Sequence, residues 1–368
     1  MHLYVHVPFC ARRCSYCDFA IAVRRRVPTE AYVEAIEREW ETWQEHAAWR
    51  TAPGLDTVYF GGGTPSRLEP AGVARLLDRF RGDRGLAPGA EVTLEANPDD
   101  VDPARAESWA AAGITRVSLG AQSFDPAVLA WMHRTHDAEQ IGAAVGVLRS
   151  AGLRDISLDL IYAVPPALER DWARDLACAL ELGPTHLSLY GLTVEPATPL
   201  GKWTARGETI PEDDDHAAEE YLEAHEALAG AGFEHYEVSS AALPGRRARH
   251  NAAYWKRAPF IGLGPSAHSG LGDTRRWNVR DWEEYRRRTE AGSTVMQEEE
   301  ALTAEQVETE TRYLGLRTVE GLPRHQIPEP AALRWIEAGW ARPAADRLGL
   351  TPEGWLRLDA LVASLSHC

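Results

Sequence analysis

Leu3-Tyr4-Val5-His6-Val7-Pro8-Phe9-Cys10-Ala11-Arg12-Arg13-Cys14-Ser15-Tyr16-Cys17 joins an apolar, β-branched run to three cysteines packed within eight residues. Leu3 to Val7 has the length and composition of a buried strand, and the reactive side chains begin directly behind it. Working outward, the same pattern returns. Strand-like runs occupy Asp56 to Phe60, Glu91 to Glu95, Thr115 to Leu119, Asp155 to Ile161 and Thr185 to Tyr190. Helical periodicity fills the gaps at Thr29 to Trp49, Pro70 to Phe80, Pro103 to Ala112, Glu139 to Ala151 and Glu169 to Leu182. Thr29, Asp102 and Asp125 are placed to cap helices at their amino ends, and Gly113 and Gly152 to end them.

Six βα units in series predict an α/β fold with a parallel sheet, which helices must cover and which can curl into part of a barrel. Six falls short of the eight units of a closed barrel, so the expectation is a partial (β/α)6 barrel. In such folds the loops after the strands carry the site. Here the strands lead into the cysteines, into Gly61-Gly62-Gly63-Thr64-Pro65, into Glu95-Ala96-Asn97-Pro98 and into Gly120-Ala121-Gln122-Ser123-Phe124; the fifth holds Asp159. The expected divisions are a barrel over 1–200, an associated extension over 201–295, and a smaller α-rich, winged-helix-like domain over 296–368. In the extension, a helix from Pro211 to Gly230, opened by Asp213-Asp214-Asp215, precedes a strand-like Phe233 to Ser239 and a Gly- and aromatic-rich stretch, Tyr254 to Gly272. The last domain reads as helices with a short basic connector, and Leu350 to Trp355 as the turn into its final helix.

The chain has 368 residues, with 39 basic and 55 acidic side chains, a net charge of −16. That balance argues against a nucleic-acid or anionic-membrane surface. No apolar run is long enough for a membrane span, and arginines at 12, 13 and 24–26 break any leader-like segment. The expectation is a soluble, cytoplasmic protein without a nucleic-acid partner. Five cysteines are too few and too uneven for a disulfide scaffold. Cys178 reads as a small buried hydrophobe, and His367-Cys368 as a frayed terminus.

Cys10, Cys14 and Cys17 follow the spacing C-x3-C-x2-C with no fourth cysteine nearby; Asp18-Phe19 comes next. Two readings stand. A structural zinc site could take His6 as its fourth ligand. A [4Fe–4S] cluster held by three thiolates would instead leave one iron open to an external ligand. The three glycines after the second strand lack the Gly-Lys-Ser/Thr ending of a phosphate-binding loop.

The string His6 to Phe19 resembles the cluster loop of the radical S-adenosylmethionine superfamily, and more narrowly the branch holding oxygen-independent coproporphyrinogen III oxidase and the haem chaperones. The resemblance implies that S-adenosylmethionine chelates the open iron. It implies further that Tyr4 and Tyr16 flank the cluster and cofactor, and that Gly62, Gly63 and Thr64 present backbone to the methionine moiety. Glu95, Gln122, Arg134, Asp159 and Gly191 match other cofactor contacts of the family.

A second constellation, His250-Asn251-Ala252-Ala253-Tyr254-Trp255, follows Arg246, Arg247 and Arg249. Imidazole can ligate haem iron and arginines can pair with propionates, although a histidine among aromatics is commonly a core residue. The resemblance ties this string to haem and makes His250 a candidate iron ligand. The oxidase carries a fourth cysteine after the third and a longer amino-terminal extension; this chain has neither. The resemblance therefore implies a haem chaperone with a cluster, S-adenosylmethionine and haem, served by an acceptor protein and a flavodoxin- or ferredoxin-type electron donor. The alternative is an enzyme of porphyrin biosynthesis that decarboxylates porphyrinogen propionates oxidatively, and a third reading is a radical enzyme with an unrelated substrate.

Overall fold

The computed structural model describes residues 1–52 and 54–365; His367-Cys368 lies outside the described residues. Six parallel strands form its centre: β1 (His2–Val7), β2 (Leu55–Gly62), β3 (Leu86–Ala96), β4 (Arg116–Gln122), β5 (Asp155–Tyr162) and β6 (His186–Gly191). Each coincides with a strand read from the sequence. The intervening helices include Thr29–Trp43, Pro70–Arg84, Pro103–Ala112, Ala138–Ser150 and Trp172–Glu181. Asp102 and Asp125 accept backbone amides as caps. Thr29 does not: Pro28 precedes the helix, and the Thr29 hydroxyl instead receives the amide of Glu69.

Parallel strands covered on both faces usually read as continuous apolar runs. These alternate. Val58, Phe60, Val92, Leu94, Val117, Leu119, Ile156, Leu158, Leu187 and Leu189 belong to the buried apolar core. The positions between them are Tyr59, Thr93, Glu95, Ser118, Ser157, Asp159, Ser188 and Tyr190. The apolar face packs under the helices, and the polar face turns toward the inside of the curved sheet.

The chain beyond residue 200 enlarges this sheet. β7 (Glu234–Glu237) and β8 (Ser240–Ala242) form a hairpin beside β6. β9 (Phe260–Leu263) pairs parallel to β1 on the opposite flank, and β10 (His268–Leu271), β11 (Thr274–Asn278) and β12 (Met296–Ala301) continue antiparallel from it. The order is β12-β11-β10-β9-β1-β2-β3-β4-β5-β6-β8-β7, a twelve-stranded open series whose pairings do not close into a barrel among the described residues. Glu39, fully buried on the first helix, fastens the extension by accepting the Gly264 amide (2.7 Å), the Asn278 side-chain amide (2.7 Å) and the Tyr285 hydroxyl (2.5 Å). The Gly-rich stretch from Tyr254 to Gly272 is thus the end of the helix Arg249–Trp255, two strands and their turns.

The carboxy-terminal segment packs the helices Ala304–Leu316, Glu329–Glu337 and Leu358–Leu365 around β13 (Leu322–Pro323), β14 (Ala341–Ala344) and β15 (Arg347–Leu350). The basic connector is the hairpin of β14 and β15. A separate core of Leu316, Leu322, Trp335, Leu348, Trp355 and Leu361 also takes in Tyr221 from the helix Asp214–Gly230. No helix among the described residues is long and apolar enough to cross a membrane.

Candidate functional site

The carboxy-terminal ends of β1 to β6 surround a cavity of about 470 Å3, within the range of small-molecule sites. Cys10, Cys14, Tyr16 and Cys17 reach it from the loop after β1, and Gly62, Gly63 and Thr64 from the turn after β2. Glu95, Gln122, Asp159 and Gly191 arrive from the ends of β3, β4, β5 and β6, and Arg134 from the chain after β4. Residues spread over nearly two hundred positions of sequence meet in one chamber because each follows a strand of the same sheet.

The cysteine loop is held at many points. Ala22 and Arg24 donate amides to Pro8 (2.7 Å) and Cys10 (3.0 Å), closing its base. Ser15 donates to the Met132 carbonyl and accepts from Leu200, and Arg280 donates to the Asp18 carbonyl (2.7 Å). His6 Nε2 donates to the Ala20 carbonyl (2.9 Å), which leaves Nδ1 to accept from the Tyr4 hydroxyl (3.0 Å). Burial pushes the His6 pKa down to about 4, so the ring is neutral. Both its nitrogens are spent on fastening the loop, which removes it as a fourth zinc ligand. Among the described residues, no three His, Cys, Asp or Glu side chains converge as on a single metal ion.

Burial raises the Cys10 thiol to about 11 against the opposing Thr64 hydroxyl, which lies 3.4 Å from the sulfur, and burial raises Cys17 as well. Thiols in this state bind metal by giving up their protons to it, and need a strong cation to do so. Gly62 has φ +115°, and a Cβ there would strike the His6 ring; one at Gly63 would lie 2.8 Å from the Pro8 carbonyl. The amides of Gly62 and Gly63 already donate to Glu95 and Val7, so the turn has carbonyls to offer a ligand.

The floor is acidic. Glu95 accepts from the Tyr59 hydroxyl (2.7 Å) and the Gly62 amide (2.9 Å), and Ser118 donates to Asp159 (3.0 Å). Burial raises both carboxyls; for Glu95 the charge of Asp159 adds to it, the hydrogen bonds oppose it, and the pKa reaches about 7. Arg134 donates to Asn97 (2.7 Å) and the Gly120 carbonyl (2.9 Å) and lies 3.5 Å from the Cys14 sulfur, while its buried Nε finds no partner among the described residues. Gln122 has φ +69° where β4 slips register against β5, a bulge that re-aims its side chain. Three thiols, a glycine turn, a buried acid pair and an arginine with an unused donor fit an iron–sulfur cluster beside a cationic, zwitterionic cofactor.

Two expected residues lie apart from the chamber wall. Tyr4 sits inside the sheet, its ring against Tyr59 and His250. His250 is 1% exposed at the opposite, amino-terminal half of the strands. Its Nδ1 pairs with Thr57 Oγ1 (2.6 Å) and its Nε2 with the Tyr254 hydroxyl (2.7 Å), while burial lowers its pKa to about 3. As folded, neither nitrogen is open to iron. Arg247 is spent on Glu234 and Glu320, and Arg249 on the Gly89 carbonyl. Cys178 is half-buried on its helix rather than fully buried. Sequence reasoning missed Asn97, Ser118 and Tyr190 in the chamber wall; the alternation of polar residues along β3 to β6 was the available signal.

Comparisons with known proteins place the chain in a family. The profile of the radical SAM superfamily matches residues 4–179. The heme chaperone HemW of Mycobacterium tuberculosis is 38% identical over 99% of this chain and 94% of its own length. HemW of Escherichia coli is 37% identical over 73% of this chain and 69% of its own. Among solved structures, the E. coli coproporphyrinogen III oxidase HemN, described as a radical SAM enzyme, superposes with a TM-score of 0.79 at 22% identity, over 99% of this chain and 89% of that one. That likeness is one of fold.

Proposed function

This chain belongs to the radical S-adenosylmethionine superfamily and, within it, to the HemW family, and we propose on that premise that it is a cytoplasmic haem chaperone that binds haem and passes it to an acceptor protein. The supporting observation is the match to a relative named as a heme chaperone, at 38% identity over 99% of this chain, which extends through the segment beyond the parallel strands.

In this reading Cys10, Cys14 and Cys17 hold a [4Fe–4S] cluster, with Asp18-Phe19 supplying no fourth thiolate. The rest of the chamber would take exchangeable S-adenosylmethionine. Arg134 would pair with its carboxylate, the carbonyls of the Gly62-Gly63 turn would receive its ammonium, and Glu95 with Asp159 would face its positive charge and hydroxyls. Tyr16, Thr64, Gln122 and Gly191 complete the wall, and Tyr4 supports it from beneath through His6. When bound, the two groups supply one-electron chemistry at the sulfonium, fed by a flavodoxin- or ferredoxin-type donor. The chain's own task is to orient them, keep them dry and hold haem nearby. His250 could serve as the iron ligand only by giving up the Thr57 or the Tyr254 hydroxyl.

The test is anaerobic reconstitution of the full chain, followed by two parallel reactions. Titration with haem is expected to give a saturable Soret band. Incubation with coproporphyrinogen III, S-adenosylmethionine and reductant is expected to give no protoporphyrinogen. Sustained formation of that product, or absence of haem binding, overturns the proposal.

A further inference from the structure

We propose that Arg170, clasped between Glu220 and Asp175, is a positioning residue for the chamber: this buried charge group fixes the segments after β4 and β5 in the shape that receives S-adenosylmethionine. The role rests on the cofactor reading proposed for the chamber, and its residues support the bound molecule without touching it.

Three side chains from three elements meet behind the chamber wall. Arg170 precedes the helix Trp172–Glu181, Asp175 lies on that helix, and Glu220 comes from the helix Asp214–Gly230, beyond the parallel strands. The Arg170, Asp175 and Glu220 side chains are 1%, 3% and 8% exposed. Arg170 donates to both Glu220 oxygens (2.7 and 2.8 Å) and lies 3.6 Å from Asp175. A forked guanidinium contact fixes direction as well as distance. Burying one cation with two anions is a poor source of stability, because desolvation consumes much of the attraction. Geometry is what the group supplies.

Each of its members also holds backbone that leads into the chamber. Glu220 accepts the Ala163 amide (2.6 Å), and Arg170 donates to the Ile161 carbonyl (3.3 Å). Asp175 accepts the Ser123 hydroxyl (2.6 Å) and the Phe124 amide (2.8 Å). Ile161 lines the chamber, and Ser123 follows Gln122, which lines it too. The loop held by Glu220 brings Val164 and Leu168 against Val128, Met132 and Ile161, the small apolar cluster on which Tyr16 packs.

The backbone so held is strained. Seven non-glycine residues have positive φ among the described residues, and three of them flank the group: Gln122 (+69°), Ala163 (+58°) and Glu169 (+50°). Such conformations persist only where surrounding contacts over-determine them, and they gather at ligand sites. Released from the charge group, both segments would relax, and the side chains of Gln122 and Ile161 would turn with them.

The experiment measures S-adenosylmethionine affinity by calorimetry on the reconstituted full chain, with iron content and unfolding midpoint recorded beside it. Wild type is compared with Glu220→Gln, with the double variant Arg170→Met/Glu220→Met, and with Arg317→Ala, which loosens the junction to the second core instead. Glu220→Gln should keep its iron and bind the cofactor roughly tenfold more weakly, the low end of what a lost supporting partner costs a metal site. An apolar pair can restore stability but not the hold on Ala163 and Ile161. The double variant's affinity should therefore stay low even where its midpoint recovers. Arg317→Ala should lose stability and keep its affinity. Wild-type affinity in both Glu220 variants overturns the positioning role, and so does an affinity that merely tracks the midpoint or the iron content across the series. Absence of cofactor binding to wild type instead overturns the reading on which the role rests.

Discussion

Glu95 shows at the scale of one residue how burial can be made useful. Its carboxyl is raised to about 7, first by burial and then by Asp159. In the empty protein it therefore keeps a proton that the unfolded chain would have lost at lower pH, and stability falls as pH rises through that window. A cationic ligand prefers the ionised form, so binding expels the proton. Affinity for S-adenosylmethionine is expected to increase as pH rises toward and through 7, then level off; calorimetry should show a flattened profile for Glu95→Gln. An unaltered profile in that variant would remove Glu95 from the cofactor's surroundings. His250 is the opposite case, a residue whose partners are all internal. His250→Ala is expected to cost about 3 kcal/mol in denaturant unfolding, from a lost pair of buried hydrogen bonds and a cavity. The residues H-N-x-x-Y-W were legible as a constellation, but which partners satisfied the imidazole was not, because Thr57 lies 193 positions away.

At the scale of elements, the loop after β1 depends on the turn after β2. A Cβ at Gly63 would lie 2.8 Å from the Pro8 carbonyl and 3.0 Å from the Cys10 sulfur. Gly63→Ala should therefore displace the cysteine loop more than it destabilises the sheet: iron content per chain after reconstitution should drop severalfold with little change in unfolding midpoint. An unchanged iron content would show that the loop tolerates the shift. The six parallel strands were legible because their outer faces carry Val, Ile, Leu and Phe at every second position. β9 to β12 were not. Arg275 and Arg276 of β11 stand opposite Glu300 and Glu299 of β12, and Arg276 pairs with Glu299 (3.8 Å), so charged side chains replace apolar alternation on an outer edge. A stretch such as Met296–Ala301, three of whose six residues are glutamate, carries no apolar signal of a strand.

At the scale of the whole molecule, two cores meet along a junction that includes a buried ion pair. Arg317 from the second core pairs with buried Glu237 of β7 at 2.9 Å and lies 4.3 Å over the ring of Trp255. Trp255, the last residue of the H-N-x-x-Y-W string, is thereby a seat for the carboxy-terminal segment. Arg317→Ala should cost about 3 kcal/mol by stranding the Glu237 carboxylate, with protease cleavage appearing between the two cores; a change within experimental error would show the junction to be held elsewhere.

Haem transfer itself tests the central claim most directly. The reconstituted chain, loaded with one haem and freed of excess, would be mixed anaerobically with a haem-depleted b-type cytochrome, and the Soret band followed as it moves from donor to acceptor. The account predicts transfer approaching one haem per chain, faster than from free haem at the same concentration. Haem that stays on the chain, or reaches the acceptor no faster than from solution, would contradict it.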